Sequence, residues 1–399
     1  MRIALLVPDN RDEHKRFTDA EPEFGPAPTA LLAGLARQPG IELHVVSCAH
    51  QPMTAPARLP GGIHYHQVVV PSWGWLRSGY AGCVRAARRQ LTAIQPDLVH
   101  GQGTERWCAL AAVFSGRPNV LTIHGNMQQV ARVVGARPFG YHWVAARLEP
   151  LALRRTGGVF CNSAHTESLV RTQARRVWRV PNALRDAFFS PAQAEPVAGQ
   201  PLRLVNVGVV RELKQPVELL AALEPLVAAG VKFRLEFAGR GAATEYGRRF
   251  QARIARAEVQ GWAAHVGELP LAGLVPWLDA AAALVHVSTE ESFGLAIAEG
   301  LARNLKFFGF SVGGVPDVVA GVEAVELFPA GDWRGLTAAL ARWLAAGAPR
   351  PTRAADLMRV RFHPDVVAAR HVEIYREVLG LARDSGEKWI AAGLRREVS

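Results

Sequence analysis

The sequence predicts an α/β protein built from two tandem, doubly wound, Rossmann-like domains that face each other across a cleft. Three observations predict it. Short apolar runs alternate with stretches of helical spacing along nearly the whole chain, the pattern of parallel strands covered on both faces. The alternation occurs twice, interrupted by SPAQAEPVAGQP (190–201), which carries three prolines and no periodicity. The chain has 399 residues, of which 49% are hydrophobic and 20% charged, enough for two domains of ordinary size and too apolar for disorder.

In the first half, RIALLVP (2–8), IELHVVS (41–47), DLVHGQG (97–103), NVLTIHG (119–125) and GGVFCNS (157–163) read as buried parallel strands. APTALLAGLARQ and AGCVRAARRQLTAI read as helices between them. The proline-rich stretch reads as a linker, which divides the chain into a first domain, 1–190, a linker, 191–201, and a second domain, 202–363. The second series is LRLVNVG (202–208), FRLEFAG (233–239), AAHVGEL (263–269), AALVHVS (282–288), KFFGFS (306–311) and AVELFP (324–329). PVELLAALEPLVAAG and WRGLTAALARWLAAG supply helices. The remaining segment, 364–399, opens with an amphipathic stretch, 364–382, expected to pack back across the linker onto the first domain. Such folds bind ligands beyond the carboxyl ends of their strands, so the cleft is the expected site.

Composition narrows the function. The opening MRIALLVPDN reads as a first strand rather than a signal peptide, and no apolar run reaches about 18 residues. Cys48, Cys83, Cys108 and Cys161 are far apart and expected to be buried thiols, with the cytoplasm as the expected compartment. No GxGxxG follows the first strand, GRGAA (239–243) lacks its third glycine, and there is no P-loop, HExxH or GxSxG, which disfavours hydride transfer. The net charge is +11, and ten arginines against two acidic residues, Glu149 and Glu167, lie between Arg132 and Arg185. That surplus is either a solvated compositional bias or a basic face for an anionic surface, so peripheral contact with the cytoplasmic face of the inner membrane is one expectation. Residues 74–90, with Trp75, Leu76 and Tyr80 beside Arg85, Arg88 and Arg89, read either as an interfacial helix or as a core-facing stripe with a solvated back. Nucleic acid is the least expected partner, because RNA-binding signatures and metal-finger spacings are absent.

The chemistry concentrates in STEESFGLAIAEG (288–300). A strand ends at Ser288 and a helix is expected to start near Ser292, a candidate N-cap. The amides around Phe293-Gly294-Leu295 would point above the strand, and Gly294 would let a ligand approach the backbone. Glu291 lies before the helix and Glu299 two turns into it. Glu299 could accept both hydroxyls of a ribose, and Glu291 those of a second ring. The turn Gly313-Gly314 could approach a phosphate, and Arg211 and Lys214 after Gly208 could hold a diphosphate. Singly, each is as readily a turn or a solvated charge. Together, at strand ends of one domain, they describe a pocket for a nucleotide-diphosphate-sugar donor. No Asp-x-Asp stands among them, so no essential metal or other cofactor is expected.

Residues 288–319, STEESFGLAIAEGLARNLKFFGFSVGGVPDVV, resemble the signature of the retaining glycosyltransferases of family 4, which have the GT-B fold. That family carries an E-x(7)-E motif with FGL inside it, matched by Glu291 and Glu299. VPNALRDAFFSP (180–191) resembles its domain border, and TIHGN (122–126) its first-domain histidine loop. The resemblance implies retaining, hexosyltransferase-type transfer to the hydroxyl of a glycan, lipid-linked or small-molecule acceptor, in cell-envelope glycan or glycolipid synthesis. It places Glu299 on the ribose, Glu291 on the donor sugar, Lys214 on the diphosphate, and His124 at the reacting sugar from the other domain. Val209 stands where the family has an arginine, with Arg211 the candidate replacement. The usual glycine-rich first loop is reduced to Gly25, on the acceptor side, and Asn304 and Lys306 replace a glycine and a proline. A nucleotide-sugar epimerase on the same fold and a non-catalytic protein at anionic membranes stay open as alternatives.

Overall fold

The computed structural model describes residues 1–194, 200–323 and 325–380. The first domain is one sheet of β1 (Arg2–Leu6), β2 (Glu42–Ala49), β3 (Arg58–Leu59), β4 (Ile63–Val69), β5 (Leu98–Gln102), β6 (Asn119–Ile123), β7 (Val159–Cys161) and β8 (Val177–Arg179). Their order is β3-β4-β2-β1-β5-β6-β7-β8, parallel throughout except for the short β3. The second sheet contains β9 (Leu202–Val207), β10 (Phe233–Ala238), β11 (Ala263–Gly267), β12 (Ala283–His286), β13 (Lys306–Phe310) and β14 (Val325–Phe328). Its order is β11-β10-β9-β12-β13-β14, all parallel. Strand order reverses beside β1 and beside β9, and the crevice opens at the carboxyl ends of both strands.

The apolar runs form strands because both faces of each sheet are covered. Ile3, Ala4, Leu5 and Leu6 of β1 are fully buried, as are Leu284 and Val285 of β12. The five strands expected in the first half are present, and β3, β4 and β8 are additional. β4 escaped the periodicity argument because IHYHQVV sets two histidines on one face and a glutamine on the other, so neither face reads as apolar. The helix Ala81–Ile94 buries Cys83, Ala87, Leu91 and Ile94 along one stripe. Tyr80 is buried, and Trp75 donates its indole N–H to the Val70 carbonyl at 2.9 Å. The apolar stripe of 74–90 therefore packs on the core while Arg85, Arg88 and Arg89 are exposed, which is the core-facing alternative rather than the interfacial helix. All four cysteines are buried and unpaired.

The chain crosses between the domains twice. Val180 and Ala183 pack in the first core, whereas Leu184, Phe188 and Phe189 pack in the second. On the return, Phe362 belongs to the second core, and Val367, Ala368, Val372, Ile374 and Tyr375 of the helix Pro364–Val378 belong to the first. The C-terminal helix thus does cross back. The crossings run side by side, with the Leu184 amide donating to the Phe362 carbonyl at 2.9 Å. Arg37 joins them, reaching Asp186 at 3.0 Å and Asp365 at 2.5 Å. At Gly34 a side chain would overlap the Pro364 carbonyl and lie 2.9 Å from Ala368 Cβ, so only glycine lets the two helices touch there. Buried Arg303 pairs with Asp279 at 2.6 Å and donates to the carbonyls of Phe188 and Ser190, anchoring the start of the linker to the second domain. Residues 195–199 of the expected linker and 381–399 of the expected tail lie outside the described residues.

Candidate active site

Both domains line a cleft of about 650 Å³ at the carboxyl ends of the sheets. The second domain contributes Gly208 and Val209 after β9, Lys214, residues 291–296, and Glu299. The first contributes Gly25, Gln102 and His124, and the border segment contributes Asn182 and Arg185. Ten of the residues singled out in the sequence are therefore brought together: Gly25, His124, Gly208, Lys214, Glu291, Ser292, Phe293, Gly294, Leu295 and Glu299.

Three expectations are corrected by this geometry. The helix Leu295–Leu301 is capped by Gly294, not by Ser292. Gly294 has φ 98°, and a Cβ there would lie 2.9 Å from Ile297 Cδ1, so the position demands glycine. The Ser292 carbonyl instead accepts from Ser163 Oγ of the first domain at 2.6 Å. Gly313 and Gly314 do not line the cleft but lie behind the Glu291 loop, where the Gly314 amide donates to the Glu291 carbonyl at 2.8 Å. A Cβ on either would overlap that loop's backbone. Arg211 is exposed and outside the cleft lining. It precedes the single 3₁₀ turn Glu212–Lys214, which directs Lys214 inward. Among the described residues, the other cations on the cleft wall are Arg106, Arg185 and Arg240.

The two glutamates have opposite electrostatics. Burial would push Glu291 up, but a hydrogen bond from His286 and the charge of Lys214 outweigh it and hold the carboxylate well below its usual range. Lys214 Nζ lies 2.5 Å from Glu291 Oε2, and His286 Nε2 lies 3.2 Å from the same oxygen. Burial lowers the His286 pKa, which leaves a neutral imidazole beside Glu291. Glu299 is only 6% exposed. Burial raises its pKa to about 7, and Arg185 at 3.2 Å offsets this only in part.

On the facing wall, His124 follows β6 with its Nε2 3.2 Å from Gln102 Oε1, and burial lowers its pKa. Its loop is ordered by the buried Glu149, which accepts from Thr104 Oγ1 at 2.6 Å, Asn126 Nδ2 at 2.9 Å and the Met127 amide at 3.0 Å. The first loop, ending at Gly25, lacks further glycines and is held by a fully buried Asp9–Arg11 pair at 2.7 Å. Tyr65 donates to Asp9, and Arg11 donates to the Thr54 carbonyl, each at 2.8 Å. Across the cleft, His165 meets Glu290 at 2.8 Å and the Ala164 amide donates to Asp317.

Sequence reasoning missed Arg185, His286, Gln102, Glu149 and Ser163. His286 was the most visible, a lone polar residue in an apolar strand. Arg185 lies inside the border-like segment 180–191. The others depend on contacts between distant parts of the chain.

Residues 29–187 match the family Glycosyltransferase Family 4, and residues 201–346 match Glycosyl transferases group 1. No curated protein sequence matches the chain significantly. Among solved structures, a sucrose-phosphate synthase from Thermosynechococcus elongatus is similar at TM-score 0.75 and 18% identity, covering 95% of this chain and 99% of that one. HepE of Anabaena, in complex with UDP and glucose, is similar at TM-score 0.68 and 15% identity over 94% of this chain and 100% of that one. The lipopolysaccharide outer core galactosyltransferase WaaB, in its apo form, gives TM-score 0.66 and 14% identity over 94% and 100%. At these identities the likeness establishes the fold, which is GT-B.

The Glu299 environment has a measurable consequence. Its folded pKa, about 7, lies above the ordinary glutamate value of 4.5, so the folded state holds a proton that the unfolded chain releases. The stability it contributes is complete below about pH 4.5 and is lost as pH rises through about 7. Glu299→Gln, neutral at every pH, should match the wild type in urea denaturation at acid pH and exceed it at pH about 8 by on the order of 3 kcal/mol. A stability difference that does not change with pH would mean that Glu299 titrates as an ordinary carboxylate.

Proposed function

We propose that this chain, a glycosyltransferase of the family 4 type with the GT-B fold, moves a sugar from a nucleotide-diphosphate donor to an acceptor hydroxyl with retention at the anomeric carbon. The observation that carries the reading is the Lys214–Glu291 pair, set in the same cleft as the buried Glu299. One cation and two carboxylates of opposite electrostatics match the three parts of such a donor. Uridine diphosphate is the first nucleotide to try, because HepE is seen with UDP and with UDP-glucose.

In this mechanism Glu299 accepts both ribose hydroxyls, and Lys214 exchanges Glu291 for diphosphate oxygens. Glu291, held by neutral His286, then accepts from hydroxyls of the donor sugar. The Leu295 and Ala296 amides, in the first turn of their helix, have no intrahelical acceptor and belong to residues that line the cleft. The bond from C1 to the leaving oxygen lengthens toward an oxocarbenium ion while Lys214 and these amides stabilise the departing charge, at about 3 kcal/mol per preorganised donor. The acceptor hydroxyl attacks from the face the diphosphate leaves, and a phosphate oxygen takes its proton. His124, oriented by Gln102, contacts the reacting sugar. The positive charge comes from side chains and amides, so the transfer needs no metal or other cofactor.

The acceptor enters from the first domain. A hollow of about 570 Å³ adjoins the cleft through the shared Arg106 and is lined by Asp12, Glu13, His50, Trp75 and Tyr141 among others. Aromatic faces and carboxylates suit a sugar-bearing acceptor, in keeping with a glycan or glycolipid of the cell envelope. No helix among the described residues is long and apolar enough to cross a membrane. Much of the arginine-rich run is engaged, with Arg171 and Arg179 on Glu167 and Arg185 on Glu299. Exposed Val133, Val134 and Phe139 beside Arg132 and Arg137 form the better surface for peripheral contact with anionic lipid.

Transfer is tested by supplying sugar nucleotides with sugar acceptors and reading the anomeric configuration of the product by NMR. The donor's configuration should be kept. Glu291→Gln should lower turnover at least about tenfold while nucleoside-diphosphate affinity does not fall, because the variant frees Lys214 from its competing carboxylate. An inverted product would refute retention, and an epimerised nucleotide sugar formed without acceptor would indicate an epimerase. Vesicle co-sedimentation tests the lipid contact, at about 1 kcal/mol per basic residue near the surface. Salt-sensitive binding to anionic vesicles should disappear in the triple variant Arg132→Ser, Arg137→Ser, Phe139→Ser. No binding at low salt would rule that contact out.

A further inference from the structure

Among the described residues, a group of metal-ligating side chains lies outside the cleft, near the amino-terminal ends of β2 and β4. Glu42 and His44 alternate along β2, and His64 and His66 along β4, so each pair faces one side of the sheet. The strands are parallel and in register, with His44 opposite His64 and Val46 opposite His66, which puts all four side chains on the same face. The His44 ring is parallel to that of His64 at 4.5 Å and to that of His66 at 5.2 Å, both within 9°. One ligand atom from each of Glu42, His44 and His64 lies within 4.8 Å of the others. A tetrahedral ion with bonds of about 2.0–2.1 Å holds its ligand atoms roughly 3.3 Å apart, so the set closes when these atoms draw together and the stacked rings turn until their lone pairs converge.

The surroundings are those of a built site. His44 is buried, and its two ring nitrogens have different partners: Glu42 Oε1 at 3.0 Å from Nε2, and His66 Nε2 at 2.9 Å from Nδ1. His66 Nδ1 in turn lies 3.1 Å from the Gln90 side-chain amide. An imidazole ligating through Nε2 must carry its proton on Nδ1 and donate it outward, and His66 is positioned to accept. His66 Nδ1 then becomes the donor, and Gln90 can meet it by turning its amide oxygen inward.

We propose that Glu42, His44 and His64 bind one divalent transition-metal ion of the zinc type, with His66 and Gln90 as outer-shell partners and water completing the coordination. Two neutral imidazoles and one carboxylate suit zinc, nickel or copper rather than magnesium, which prefers oxygen ligands. Arg2, 3.0 Å from Glu42, and Arg58, opposite His64 in β3, are the neighbouring positive charges. They temper the affinity, and Arg2 must share the carboxylate. The ion would clamp β2 to β4 near the outer edge of the first sheet. None of its ligands lines the donor cleft, so the inference does not depend on the proposed transfer.

The test is titration calorimetry of zinc chloride into the chelator-treated full chain at neutral pH, with magnesium chloride as the comparison. One zinc ion per chain should bind and raise the melting temperature, and magnesium should do neither. His64→Gln and Glu42→Gln, which leave the buried His44 in place, should each weaken zinc at least tenfold and abolish the thermal shift. His142→Gln, a change elsewhere in the first domain, should leave both unchanged. Absence of one-to-one zinc binding, or equal affinity in the wild type, His64→Gln and Glu42→Gln, would overturn the proposal.

Discussion

The loop from Glu290 to Ser292 has to satisfy both domains at once. Glu290 bonds His165, the Ser292 carbonyl accepts from Ser163, and between them Glu291 turns inward to Lys214 and His286. Two of these three residues hold the first domain while the third faces the cleft. Donor-side chemistry and domain closure are therefore properties of the same short backbone. This constraint explains the neighbouring glycines. A side chain at Gly314 would overlap the Ser292 carbonyl and crowd Ser163, one at Gly313 would overlap the Glu291 carbonyl, and Gly294 turns the chain into its helix at positive φ.

Burial sets the division of labour between the two carboxylates. Both are removed from water, which raises the cost of their charge. Glu291 meets that cost with Lys214 and His286 and stays ionised. Glu299 has only Arg185, at 3.2 Å, and is held near the point of half-protonation at neutral pH. A ligand that brings two hydroxyl donors to Glu299 would supply the missing hydrogen bonds, and one that brings a diphosphate would compete with Glu291 for Lys214. The free site is thus prepared for a ligand carrying both groups.

The fold was largely legible because parallel strands covered on both faces leave uninterrupted apolar runs, and because a proline-rich break separates two series of them. β4 was missed for the opposite reason: its histidines and glutamine interrupt the apolar pattern. The carboxylate pair and Lys214 could be read from their places at strand ends, and His124 from the resemblance of TIHGN (122–126) to the family's histidine loop. Arg211 could not be placed, since one 3₁₀ turn decides which of two nearby cations faces inward. Ser292 looked like a cap by residue type, but its role is a backbone carbonyl offered to the other domain. Asn304, which replaces a glycine of the family pattern, sits at φ 56°, a left-handed conformation that asparagine tolerates, and accepts from the Ala355 amide at 2.8 Å. Lys306 is paired with Glu326 at 2.9 Å. Contacts such as Arg185 with Glu299, or Ser163 with Ser292, join residues far apart in sequence and leave no trace in local periodicity.

The central claim is that Glu299 and Lys214 recognise different parts of one donor. Calorimetric titration of a nucleoside and of its diphosphate into Lys214→Ala and Glu299→Ala tests it most directly. Charge-assisted hydrogen bonds contribute about 1.5–3 kcal/mol each, so losses of roughly tenfold or more are expected. Glu299→Ala should weaken nucleoside and nucleoside diphosphate alike, whereas Lys214→Ala should weaken only the diphosphate. Equal losses for both ligands in both variants, or no loss in either, would contradict the account.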